Sequence, residues 1–353
     1  MALPGYEGQR TLDMQWAIST KIQDDYDTVV SDSEVDIAHA VREANVAEVT
    51  RELRSDKETY GKGHEFATTV WEVARDTRLS RSMDGSSLIL GWALSLLMGK
   101  VTTSQPDVTG SPNTYHHKIE FFDPPTAGTS TLPVTTIIEK ISTGIKRNLA
   151  SMAMSSATVS GEGFETLNLA VELIGSGLVA TSSKSMPSLT TVSYLASNKA
   201  VIKCGDSQED VSSRIRNWSV AFNNNPKEAR GYFPGSDLYR GRLEIGARSA
   251  IPSLVLDLDA SSDLYTDFLN NTELALDILC EGDYTEGTDY RHYLRIRFPN
   301  LYYRAIPIEE NDGYWTYAVA FDEETVIYDS TEADPYCLVE VQNLQAEYLG
   351  DAT

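Results

Sequence analysis

The apolar residues of this chain come in short stretches broken by polar and turn-forming residues, and this spacing limits its fold more than any other feature. One stretch stands apart: Ser86 to Gly99 is the longest uncharged apolar run, and it is too short to cross a membrane, which takes ~20 residues. Elsewhere the runs are brief, Ser and Thr are abundant and Tyr numbers 18. That composition suits pleated, half-buried strands rather than long helices. With 353 residues, 41% of them hydrophobic, the chain can bury a substantial core in one large or two medium domains. The expected fold class is mainly β, a sandwich or barrel with short flanking helices.

Charge removes several functions. Lys and Arg total 29 against 52 Asp and Glu, a net charge of −23. Such a chain gains nothing from phosphate neutralisation and is ill suited to nucleic acid or to an anionic membrane surface. The excess either keeps the protein soluble or keeps a surface near DNA from sticking to it. Cys204, Cys280 and Cys337 are odd in number, far apart and without a CxxC pair, so reduced core cysteines are expected. Met1 to Lys21 lacks the basic-then-apolar pattern of a signal peptide, which implies synthesis and retention in a cytoplasm.

Along the chain, Met14 to Ile22 alternates as a strand, and the acidic residues from Asp24 to Asp36 read as an exposed arm. Ser86 to Met98 has a helix's signals: Ser86 or Ser87 as N-cap, Leu88, Trp92 and Leu96 at helical spacing, and Gly99 to end it. Strands are expected at Tyr115 to Phe122, Val134 to Ile141, Ser155 to Ser160 and Leu167 to Leu173. Ser-rich Ser182 to Ser188, with Pro187, reads as a linker. The second half follows the order of the first: strand, glycine-bearing loop, strand, short helix in SSDLYTDFLNN (Ser261 to Asn271), polar loop, and a strand closing on proline. YHHKIEFFDP and YRHYLRIRFPN share a Tyr, a His, basic residues, aromatics and a final Pro. The expected organisation is therefore a duplicated β unit, 1–181 and 191–353, joined by a linker at 182–190.

No chemistry-bearing motif stands out. His39, His64, His116, His117 and His292 lack metal-ligand spacing, and adjacent His116 and His117 fall on opposite faces of a strand. Neither a GxSxG elbow nor a Walker loop occurs. GEGFET (Gly161 to Thr166) and GSG (Gly175 to Gly177) read as turns rather than phosphate loops. DLDASSD (Asp257 to Asp263) lacks the Gly and Glu of a helix–loop–helix calcium site and reads as a helix cap. No catalytic residue, cofactor-binding residue, metal ligand or cofactor is assigned. Basic clusters at Lys140, Lys146 and Arg147, at Arg214 and Arg216, at Arg240, Arg242 and Arg248, and at Arg291, Arg295, Arg297 and Arg304 suit either subunit contacts or ordinary solvated strand faces.

Several segments, taken in order, resemble the tail tube proteins of long-tailed, siphovirus-like bacteriophages. MQWAISTKIQDDYDTVV is similar to that family's N-terminal strand and arm. IKRNLASMAMSSATVSGEGFETLNLAVELIGSGLV resembles its central block of small and hydroxyl residues turning over glycine. RIRNWSVAFNNN, YRHYLRIRFPNLYYRAI and TEADPYCLVEVQNL resemble its later strands, while the long acidic region 24–60 departs from the pattern. The resemblance implies a sandwich whose sheets align between subunits into a closed barrel, with rings stacking into a virion tail tube. For a duplicated chain it implies trimeric rings, pseudo-hexamers through which DNA passes without specific binding. It also implies self-association and contact with tape measure, tail terminator and tail tip proteins, with no membrane partner. Loops at 49–66, 101–116 and 223–240 are the expected ring-to-ring contacts. A tail terminator, a baseplate ring, a β-sandwich carbohydrate-active enzyme and a carbohydrate-binding module remain as alternatives.

Overall fold

The single long apolar run becomes helix α1, Ser87–Met98, in the way its end signals dictate. The Ser86 side chain accepts a hydrogen bond from the Ile89 amide, and Gly99 closes the helix in the left-handed region at φ 82°. Every residue of α1 except Leu88 is buried. A helix apolar on all sides must be covered on all sides, and α1 lies against strands of two different sheets. The structure, a computed structural model, describes residues 14–351 apart from 24–25, 27, 40–44, 57–66, 68, 123–130, 143, 206–207, 233–237, 259–263, 288, 312 and 329–335. Among the described residues the only other α-helix is α2, Leu264–Asn270. The Asp257 to Asp263 segment lies largely outside them.

In chain order the strands are β1 Gln15–Ile18, β2 Lys21–Ile22, β3 Ile37–His39, β4 Glu48–Ser55, β5 Val70–Asp84, β6 Gly99–Ser104, β7 Tyr115–Phe121, β8 Thr135–Ser142, β9 Ile145–Glu162, β10 Asn168–Gly175 and β11 Val179–Thr181. There follow β12 Ala200–Gly205, β13 Glu209–Asp210, β14 Ile215–Asn223, β15 Ser249–Asp257, β16 Leu274–Glu286, β17 Tyr290–Leu301, β18 Ile308–Asn311, β19 Tyr314–Ala320, β20 Leu338–Asn343 and β21 Gly350–Asp351. They make a mainly β, sandwich-like protein of two large antiparallel sheets. The first has 12 strands, with the main path β4-β5-β10-β9-β14-β15-β19-β18, and β1, β3, β8 and β11 branching from it around β9. The second has 7 strands in the order β6-β7-β20-β17-β16-β12-β13. Both sheets draw strands from either side of residues 182–190. That segment is held by Thr190, whose amide donates to the Ala38 carbonyl at 2.9 Å, and by Met186, which packs on Ala17, Val30, Val35 and Ile138.

Three sequence expectations change. The strand expected at Ser155 to Ser160 is 18 residues long. Its N-terminal part pairs with β8 and β11, its C-terminal part with β10 and β14, and between them Ser151 sits at φ 54°. Its run of Leu, Ala, Ser and Met is compatible with helix or strand, and pairing on both sides decides for strand. Secondly, the arm at 24–36 is not wholly exposed: Val30 and Val35 are buried, because two apolar residues within an acidic stretch suffice to pull it onto β1 and β8. Thirdly, the segments read as loops from 49 and 101 begin as strands β4 and β6. Both are edge strands, whose charged or hydroxyl alternation carries little core signal.

The core between the sheets is continuous. Trp92 of α1 meets Trp16 of β1 edge-to-face at 5.5 Å, and its indole NH donates to the Ser19 carbonyl at 2.9 Å. Beneath them Glu139 of β8 holds Arg81 of β5 at 2.6 Å and Arg147 of β9 at 2.7 Å, with Arg81 and Glu139 fully buried. In urea denaturation Trp92→Ala is expected to cost about 3–5 kcal/mol. Trp71→Ala, at a half-exposed site on β5, should stay within about 0.5 kcal/mol of the parent.

Candidate assembly surfaces

Adjacent His116 and His117 aside, among the described residues the histidines and cysteines lie apart from one another. His39 is buried beside β1, His116 lies near Glu340, and His292 bonds the Ser87 hydroxyl at 2.8 Å, while His64 lies outside the described residues. Among the described residues no group of three or more His, Cys, Asp or Glu is placed to hold a metal ion. Cys204, Cys280 and Cys337 are free and buried, and desolvation pushes their thiols up, to about 11 for Cys204 and about 12 for Cys280. Thiols raised in this way are inert at neutral pH. The cleft beside β4 is lined by Glu52, Arg75, Asp76, Glu228, Tyr232 and Arg240, and in it Arg240 lies 3.1 Å from Asp76 and 3.5 Å from Glu228.

The two sheets present very different outward faces. On the second sheet, side chains in cross-strand register alternate in charge: Arg295 lies beside Asp277 at 2.6 Å and Glu340 at 3.6 Å, and Lys100 reaches Glu120 at 3.0 Å. The Asp277 bond raises the Arg295 guanidinium above its ordinary range, and the bond from His116 holds Glu340 below its own. On the first sheet the outward positions are small. One register row reads Asp84, Asn168, Ser160, Ser219, Ser253, Ala320; the next Ser82, Ala170, Thr158, Ala221, Ile251; the third Ser80, Glu172, Ser156, Asn223, Ser249. These rows hold no lysine or arginine. Their two carboxylates are engaged, Asp84 by the Thr166 hydroxyl at 2.6 Å and Glu172 by the Ser156 hydroxyl at 3.2 Å. Two residues further along β5 from Ser80, on the same side, Arg78 stands opposite Ile174 and feels the Glu172 carboxylate.

The basic clusters seen in the sequence are largely committed within the chain. Arg147 pairs with Glu139, Arg216 with Asp257 at 2.8 Å, Arg242 with Glu244 at 2.9 Å and Arg304 with Asp322 at 3.0 Å, while Arg291 lies over the Tyr284 ring. What remains open are the sheet edges and ends. In the eight-strand path of the first sheet, β4 and β18 are the outer strands. Large apolar side chains are exposed near its ends: Leu53, Val70 and Trp71 on the β4–β5 hairpin, Phe164 in the β9–β10 turn, and Tyr314 and Trp315 at the start of β19. The sequence reading missed these. Its one available signal was a phenylalanine in a glycine turn, GEGFET, where polar residues are the rule.

Two large antiparallel sheets packed as a sandwich around one buried helix define the class of mainly β, sandwich-like proteins. The chain belongs to the phage tail tube protein family, whose family model matches residues 77–322, more than two-thirds of the chain. The match begins at Thr77, where β5 enters register with β10, and runs through β19, so it takes in α1 and most of both sheets. A comparison with curated proteins returned no match. Family membership makes the chain a structural component of a phage tail.

His117 supplies a measurable consequence. Its ring is buried between Thr103 and the Gln345 carbonyl, at 2.9 and 2.8 Å, and stacks edge-on to Tyr348. Desolvation lowers its pKa from 6.5 to about 4. The unfolded chain therefore binds this proton more readily than the folded one, so stability should fall as pH drops from about 6.5 towards 4, by up to about 3 kcal/mol. Urea titrations at several pH values should show this slope in the parent and a shallower one in His117→Asn.

Proposed function

We propose that this chain is the ring-forming subunit of a hollow phage tail tube, assembled as trimers that imitate six-fold symmetry and stacked into a conduit for DNA. The observation that carries the reading is the strand order of the first sheet. From one edge it runs β4-β5-β10-β9 and then β14-β15-β19-β18, two sets of four in matching sequence order. The chain enters each set alike: β5, α1 and the β6–β7 hairpin are echoed by β15, α2 and the β16–β17 hairpin. This supports two repeats, 1–181 and 191–353 about the 182–190 segment, joined side by side through β9 and β14. The outer strands β4 and β18 run in opposite directions, so β18 of one copy can meet β4 of the next in antiparallel pairing. Three copies would then close one barrel and cover both outer strands of the first sheet's main path.

The contrast between outward faces supports the orientation. A charge-laced sheet suits the solvated exterior, and three register rows of mostly Ser, Thr, Ala and Asn, with no lysine or arginine, suit the bore. Along these rows passing DNA meets no cation to neutralise its phosphates, so no counterions are released there. The remaining elements of this reading are a role without catalysis or cofactor, synthesis in the host cytoplasm, and contacts with tape measure, terminator and tail tip proteins in the virion.

Concentrated protein viewed by negative-stain electron microscopy should show hollow tubes with a regular axial repeat, and native mass spectrometry of fragments should give multiples of three chains. A chain that stays monomeric at every concentration refutes the reading, and closed rings that never stack assign it to a tail terminator instead. Ser160→Lys combined with Ser219→Lys should turn tubes that ignore a DNA oligonucleotide into tubes that retain it, with affinity falling steeply as salt rises. Unchanged behaviour would move this face out of the bore.

A further inference from the structure

The small outward rows of the first sheet are bordered by an arginine at either end. Beyond the row of Ser80 and Glu172, the next register row brings Glu48 of β4, Arg78 of β5, Ile174 of β10 and Ala153 of β9. At the opposite end Asp257 lies four residues along β15 from Ser253, on the same side as the rows, and holds Arg216 of β14. Both arginine side chains are about half exposed, 54% for Arg78 and 53% for Arg216. A guanidinium fork that fits a carboxylate fits a phosphate equally well. What occupies the fork therefore decides whether the surface beside the rows binds DNA.

Carboxylates occupy both. The Arg78 Nε donates to Asp76 at 3.1 Å, its Nη2 donates to Glu228 in the segment after β14, and Glu172 of the third row adds its charge. Desolvation works against the charge on Arg78, but the Asp76 bond and the three carboxylates outweigh it and raise the guanidinium above its ordinary range. Exposed Glu48 stands opposite Arg78 on β4. Arg240, 2% exposed, shares two of these partners, with Asp76 at 3.1 Å and Glu228 at 3.5 Å. Arg216 donates to Asp257 through both Nε and Nη2, each at 2.8 Å. Exposed ion pairs of this kind add little to stability. Their larger effect is on what the cation is left able to bind.

We propose that these carboxylates are guards: Asp76, Glu172 and Glu228 keep Arg78, and Asp257 keeps Arg216, from the phosphates of DNA passing the rows between them. Each arginine serves the fold. Arg78 ties β5 to the segment after β14, and Arg216 ties the bulge in β14 to β15. Without its guard, each is a phosphate-binding site at the margin of rows that hold no other cation. The effect is one of charge, so a glutamine or asparagine in the guard's place keeps the shape and an acceptor oxygen but releases the guanidinium. This inference rests on the reading that turns this face towards the bore, and names the residues that keep its margins inert.

The test uses the subunit below the concentration at which tubes form, and then the tubes. Glu172→Gln with Glu228→Gln should bind a double-stranded DNA oligonucleotide at least about tenfold more tightly than the parent at low salt, a gain that fades as salt rises. Adding Arg78→Gln should cancel it. Asp257→Asn should act in the same way from the other end, without touching the segment after β14, and Arg216→Gln should cancel that gain in turn. As a control for overall charge, Glu281→Gln with Asp283→Asn, both exposed on the second sheet, should leave binding at the parental level. Urea midpoints should stay near the parent's throughout. No gain from either guard variant, or an equal gain from the second-sheet pair, would overturn the proposal. A gain in subunits that disappears in tubes would instead turn this face away from the bore and remove the reading beneath it.

Discussion

The pairing of β9 with β14 makes this one structure rather than two halves tied by a segment. Seven residues of each strand meet in unbroken register, Asn217 to Asn223 against Glu162 to Ser156. On the inner side Trp218, Val220 and Phe222 pack with Ala157 and Val159, and on the outer side small residues oppose small residues. The same β9 also supports β8 and β11 near its start, so a single strand organises the arm, the main sheet and the joint between halves. Ser151 marks the change of partners. Its amide donates to the Gln23 side chain at 2.7 Å and its hydroxyl to the Tyr26 carbonyl, replacing ladder bonds that the bend gives up.

Around that joint the polar interior does the locating. The Arg81–Glu139–Arg147 cluster links β5, β8 and β9, and Arg147 also donates to the Ala47 carbonyl just before β4. A buried carboxylate between two guanidiniums adds little net stability over an apolar packing of similar volume, but leaving any one of the three unpaired is costly. A one-residue slip of any of these strands would do that, so the cluster discriminates against misregistered sheets. Asn224 plays a similar part at the far end, its side-chain amide donating to the Leu97 and Met154 carbonyls at 2.9 and 3.0 Å and so tying α1 to β9.

Much of this was legible in the sequence, and the limits have physical causes. Helix α1 could be read to its ends because Ser86 and Gly99 act locally. The strand character of SSATVS and NWSVAF was visible because period-two alternation survives even when one face is Ser, Thr and Ala. Strand β4 was not, since EVTRELRS is an edge strand with almost nothing buried and differs little from a polar loop. The partners of β9 were invisible, because register between distant strands is decided by tertiary packing. The sidedness of the sheets was not legible: net charge is a property of the whole chain, whereas the small outward rows emerge only once strands far apart in the chain are set in order.

One feature of the first sheet, its even count along the eight-strand path, has a geometric consequence. With an odd number, the outer strands would point alike, and an added copy would have to invert or accept parallel pairing, which is weaker per residue. Even parity lets every copy join upright. A closed circle of such copies has a distinct upper and lower surface, and a column of circles inherits that polarity. On the proposed reading, an assembly that must tell the reservoir of a genome from its destination would find its sense of direction in the arithmetic of its strands.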